Sequence, residues 1–92
     1  MVVVINDDRV SNVEEYLPLA KAFARDAAAH DKGCLSMEVL TDPKTPGRVV
    51  DLSHFETEED LKAHAQGPTF QKHVEKMGKY FISAQDTVLE VK

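Results

Sequence analysis

Ninety-two residues, with 16 Asp and Glu against 11 Lys and Arg, give a formal net charge of −5; this is a one-domain length, and the charge disfavours nucleic acid and anionic membrane as partners. A chain this short buries only a marginal core, so self-association is expected from length alone. The single cysteine, Cys34, can form no internal disulfide and fits a reducing cytoplasm, while the opening apolar run Val2–Ile5 is too short for a signal-peptide core or a membrane span.

Val2 to Ile5 reads as a β-branched strand covered on both faces. Ser11, with Glu14 three residues on, has the spacing of a capping box. Val13, Tyr16, Leu17, Ala20, Phe23 and Ala24 then recur at helical intervals. Pro18 inside that helix removes one backbone hydrogen bond, and Gly33 is placed to stop it. Cys34 to Thr41 alternates, with Leu35, Met37 and Val39 on one face. Asp42 to Gly47 is a turn, and Arg48 to Phe55 returns as a third strand. Thr57 caps a helix with Glu58, Glu59 and Asp60 in its first turn, as the helix dipole favours. Gly67-Pro68 interrupts it, Gly67 by a positive φ and Pro68 as the first residue of a new segment. That segment carries Phe70, His73, Val74 and Met77 and stops near Gly78. Thr87 to Val91 is the last strand. The order βαββαβ predicts one domain over residues 1–92, of class α+β: a four-stranded antiparallel sheet with helices on one face, the ferredoxin-like arrangement.

The stretch "GCLSMEVLTDPKTPGRVVDLSHFETEEDLKAHAQGPTFQKHVE", residues 33–75, resembles the antibiotic biosynthesis monooxygenase domain family. The resemblance rests on Gly33-Cys34-Leu35, the Asp42-Pro43 turn and Pro46-Gly47-Arg48. Phe55, Glu59, Leu61, Ala63-His64, Pro68 and Phe70 complete it. Residues 1–32 match only in pattern. The resemblance implies a homodimer, two sheets packed face to face as a dimeric α+β barrel, with a pocket in each protomer between sheet and helices.

It also implies that the His64 side chain points into that pocket, and His64 shares a helical stripe with Leu61. An imidazole titrates near neutral pH and can take a proton from a phenol. The alternative is a hydrogen-bonded structural histidine that holds the helix break. His73, beyond the break, is expected at the pocket rim or in solvent. Asp51 and Ser53 share one face of the third strand. Relatives commonly carry a glutamate where this chain has Ser53, and Asp51 is the carboxylate that could replace it. Asn6 and Asp8 share a parity on the first strand, where some relatives place a pocket amide. Phe55, Leu61, Phe70 and Met77 would form an apolar wall.

Asp51, His54, His64 and His73 form no familiar ligand spacing, and Cys34 has no neighbouring Cys or His, so neither metal nor cofactor is expected. Haem-degrading relatives use an asparagine, a tryptophan and an axial histidine. This chain has no tryptophan, His64 stands in the tryptophan's place and Val74 in that of the axial histidine, so haem oxygenase activity is not expected. The leading expectation is a cofactor-independent monooxygenase that oxidises a small aromatic quinol or polyphenol with dioxygen, with His64 as base and Asp51 or Ser53 orienting hydroxyls. The alternatives are a non-redox isomerase of a small oxygenated metabolite and a non-catalytic small-molecule-binding module.

Overall fold

The computed structural model describes all residues, Met1 to Lys92. The elements are β1 (Val2–Val10), α1 (Val13–His30), β2 (Cys34–Thr41), β3 (Arg48–Phe55), α2 (Glu58–Gln66), α3 (Pro68–Met77), a 3₁₀ turn Gly78–Tyr80, and β4 (Phe81–Glu90). The strands form one antiparallel sheet in the order β2-β3-β1-β4. This is the ferredoxin-like α+β fold. No helix is long and apolar enough to cross a membrane.

β2 and β3 have the expected limits, whereas β1 runs on through the polar Asn6–Arg9 and β4 begins at Phe81, six residues before Thr87. The polar run of β1 stays extended because the strand lies between β3 and β4 and both of its edges find ladder partners, and β4, at the sheet edge, extends along it. The cap of α1 is Asn12, one residue later than Ser11. Its side chain accepts the Glu15 N–H at 3.0 Å, the first half of a capping box, and its amide donates to the Glu15 carboxylate at 3.2 Å in place of the backbone N–H that a capping box would use. Thr57 caps α2 as expected, accepting the Asp60 N–H at 3.1 Å.

On β2 the pairing shifts between Cys34 and Ser36, which makes Leu35 the unpaired residue of a bulge. Cys34 therefore faces inward and Leu35 outward, 48% exposed, rather than joining Met37 and Val39. Gly33 just before it has φ +77, a conformation glycine adopts at no steric cost. The helix break also differs from expectation. Gly67 has φ −87 and ψ 174, because the residue before a proline is pushed to extended backbone. Glycine is needed there for space: a Cβ would lie 2.8 Å from the Ala63 carbonyl oxygen. Pro68 opens α3 as expected.

All helices lie on one face of the sheet. Alternation sends Val2, Val4, Val49 and Phe55 toward them, buried, and leaves Val3, Ile5, Val50 and Leu52 on the open face. Two apolar clusters form the interior. One gathers Val10, Tyr16, Phe23, Val49 and Met77, and the other Val2, Val4, Ala27, Cys34 and Phe55.

Candidate functional site

A cavity of about 420 Å³ lies between the sheet and the helices, within the usual size of a small-molecule site. His64, Asp51, Asn6, Ser53, Phe55, Leu61, Phe70 and Met77, all eight candidates from the sequence, line it, and so does Asp8. Register explains the polar floor. Asn6 on β1 stands opposite Asp51 on β3 and Asp86 on β4, so one row of the sheet presents an amide between two carboxyls. The Asn6 amide donates to Asp86 at 2.8 Å. The next row toward α2 holds Ser53, Val4 and Val88, and the one after it Phe55 and Val2.

His64 stands at the Phe55 end. Its ring stacks on Phe23 (centroids 5.5 Å, 25° between planes) and lies 5.1 Å from the Phe55 ring. It is buried, and its Nδ1 bonds to the Asp31 carboxylate. The other Asp31 oxygen accepts the Thr69 hydroxyl at 2.7 Å. Because Asp31 can only accept, it holds the neutral imidazole in the tautomer with the proton on Nδ1. Nε2 is then the basic nitrogen, and it is left free for a ligand.

The opposite end is acidic. Asp51 and Asp8 are 7% and 4% exposed. Burial, with the Asp8 charge adding to it, pushes the Asp51 carboxyl up to about 7. Asp8 is raised to about 6 by burial, then by the charges of Asp86 and Asp7. One Asp51 oxygen and the hydroxyl of the fully buried Tyr16 have no hydrogen-bond partner. The Tyr16 phenol is raised mainly by burial, with Asp51 and Asp8 contributing. No Lys or Arg lines the cavity.

His73 departs from expectation. It is buried at 9% exposure, packs 5.5 Å from the Phe23 ring and bonds through Nε2 to Asp26 at 2.8 Å, away from the cavity. The His73 hydrogen bond is the leading reason the Asp26 carboxyl is held low, and His30 and Lys72 also bear on it. Helix α3 restarts so that His73 faces α1, where Asp26 supplies the partner that a buried imidazole needs. His54 lies on the open sheet face, bonded to the Ser36 hydroxyl at 3.1 Å. The four residues weighed as a ligand set are thus dispersed, and no group of three or more His, Cys, Asp or Glu is placed to hold a metal ion.

Asp31, Thr69, Tyr16 and Asp86 escaped the sequence reading. Nothing in their spacing signals a site: Asp31 and Thr69 meet only because the start of α3 packs beside the end of α1. Asp86 joins Asn6 only through the β1–β4 register.

The sequence profile of the antibiotic biosynthesis monooxygenases matches residues 1–76. The chain belongs to this family. Its candidate antibiotic biosynthesis monooxygenase relative from Caulobacter crescentus CB15 superimposes with a TM-score of 0.92 at 18% identity, covering 99% of this chain and 89% of that one. A conserved protein from Methanosarcina mazei Go1 gives 0.86 at 17%, covering 99% and 92%. Rv0793 from Mycobacterium tuberculosis gives 0.83 at 18%, covering 99% and 94%. At these identities the structural likeness establishes the shared fold. No curated protein sequence matches the chain. β4 lies beyond the profile match, yet it supplies Asp86 and one wall of the cavity.

Proposed function

We propose that this antibiotic biosynthesis monooxygenase family member is a cofactor-independent oxygenase of a small aromatic quinol or polyphenol. The observation that carries the reading is the Asp31–His64 pair set into the wall of a mostly apolar cavity. His64 Nε2 takes the proton of a phenolic hydroxyl, and Asp31 stabilises the imidazolium. The resulting phenolate is electron-rich enough to reduce dioxygen itself. Oxygen adds at a ring carbon that bears hydrogen, giving a hydroperoxide. Loss of water then leaves a carbonyl, so phenol and O₂ become quinone and H₂O. On this reading the protein supplies a base, a dry pocket and orientation, and Asp51 and Ser53, which line the same cavity, orient further hydroxyls. The buried free thiol of Cys34 suits work in a reducing cytoplasm.

Oxygen uptake with a panel of hydroquinones and hydroxynaphthalenes tests this. One oxygen atom from ¹⁸O₂ should enter the product and the other should leave as water. Absence of oxygen uptake across the panel would remove the reading.

A second reading rests on the same His64 base, whose Nε2 is left free by the Asp31 bond to Nδ1. That nitrogen could shuttle a proton between carbon and oxygen without redox change. Deuterium exchange into a bound ketone under nitrogen would favour this isomerase reading. Binding without turnover or exchange would leave a small-molecule-binding module.

A further inference from the structure

We propose that the end of the cavity remote from His64 is a subsite for a protonated amine. On this inference the substrate is a hydroxyarene that also carries an ammonium group. It rests on the cavity being the substrate site and narrows the class of molecule it takes.

The subsite is built from Asp51, Asp8, Asp86 and Tyr16. All three carboxyl residues line the cavity, and it brings no Lys or Arg to answer them. The Asn6 amide serves only Asp86. Asp51 keeps an oxygen without a partner, and the hydroxyl of Tyr16, a residue fully buried against the same cavity, is also unpartnered. Buried polar atoms left open in this way are uncommon unless a ligand completes them. A neutral donor could fill one hydrogen bond but would bring no charge to offset the carboxyls once they are ionised. An anion would add to the repulsion. An ammonium group brings three donors and the missing countercharge, and the Tyr16 and Phe81 rings, packed edge to face with centroids 5.8 Å apart, line the same cavity.

The path and the span agree. Asp8 and Asp51 are buried, whereas Asp86 and all of β4 are exposed, so the carboxyl row runs from the open edge of the cavity inward. Asp51 is four residues before Phe55 on β3, roughly 13 Å at the rise of a strand. A flat body of two or three rings can therefore reach from the ammonium subsite to the imidazole.

The test uses the full chain at pH 8 under nitrogen, so that no turnover occurs. Calorimetric titration compares 2-naphthylmethylamine, 2-naphthylmethanol and 2-naphthoate, which share one aromatic body and carry charges of +1, 0 and −1. The amine should bind at least about tenfold tighter than the alcohol, as charge-assisted hydrogen bonds imply, and the naphthoate should bind weakest. In Asp51→Asn the amine should lose most of its advantage while the alcohol keeps its affinity. Asp8→Asn, a second and independent variant, should show the same loss. His64→Ala should keep the preference for the amine, which separates this inference from the oxygenase reading. Equal binding of amine and alcohol, a preference that survives both aspartate variants, or no binding by any of the three would overturn it.

Discussion

Asp31 holds His64 through Nδ1, although 33 residues separate them in the chain. The two meet because β2 opens just after Asp31 and its first residue, Cys34, pairs with Phe55, the end of β3 from which α2 follows. Thr69, on the first turn of α3, occupies the second Asp31 oxygen and keeps the carboxylate from turning away. The pair supplies an oriented base, and its removal is the most direct test of the proposed chemistry.

His64→Ala should lower turnover by roughly 10²-fold or more if Nε2 is the general base. Asp31→Asn should lower kcat by at least about tenfold with a smaller change in KM, since it acts by positioning. His64→Ala leaves the Asp31 carboxylate without its buried partner and should also cost about 1–3 kcal/mol of stability, whereas the amide of Asp31→Asn can still accept from Nδ1 and donate to the Thr69 hydroxyl. Oxygen uptake with an accepted quinol, alongside urea unfolding, checks both. Full activity in His64→Ala would make the residue structural.

His73→Ala should leave turnover within about twofold and still destabilise the fold, because it removes a buried ring packed against Phe23 together with its hydrogen bond to Asp26. Loss of activity equal to that of His64→Ala, with stability unchanged, would instead mean that the two histidines work together. The same two measurements decide it.

Asp51 and Asp8 should make stability depend on pH in an unusual sense. Their carboxyls hold protons in the folded state up to about 7 and about 6, whereas in the unfolded chain they release them near pH 4. Between about pH 4 and 7 the folded state binds more protons, so this contribution to stability falls as pH rises and levels off above 7. Asp7, held at about 2 by hydrogen bonds from Arg48 and Arg9, works in the opposite sense: its contribution is present above pH 4 and is lost below it. Asp51→Asn should therefore be more stable than the parent at pH 8, by an amount on the order of a few kcal/mol. The two should converge near pH 4. Urea titrations at pH 4.5, 6 and 8 measure the difference, and a constant gap across the series would count against a raised Asp51 carboxyl.

The protein should be a homodimer through the open sheet face. Val3, Ile5, Val50 and Leu52 are central on that face, and no helix covers them. An obligate interface of this kind would bury more than about 2,000 Å² in total. Sedimentation equilibrium at micromolar concentration should give a dimer, and Leu52→Arg should shift it to monomer by burying an unpaired charge. A monomeric parent protein would remove the prediction.

Alternation and helical spacing are local properties, and they carried the fold a long way: both strands of the β2–β3 hairpin, the Thr57 cap, the break at Pro68 and the ferredoxin-like order are legible in the chain. The same parity rule put Asn6, Asp8, Asp51 and Ser53 on one sheet face, and the helical stripe put Leu61 and His64 together. What local pattern could not decide was how distant elements meet. The polar run Asn6–Arg9 is strand only because both of its edges are paired. Leu35 turns outward because the β2–β3 register slips by one residue. His73 is buried because α1 carries Asp26 to the point where α3 lands, and His64 has an oriented free nitrogen because Asp31 ends that same helix. Backbone periodicity assigns a residue to a face. Only the packing of one element on another assigns its hydrogen-bond partner, and in this protein the partners separate a candidate base from a structural histidine.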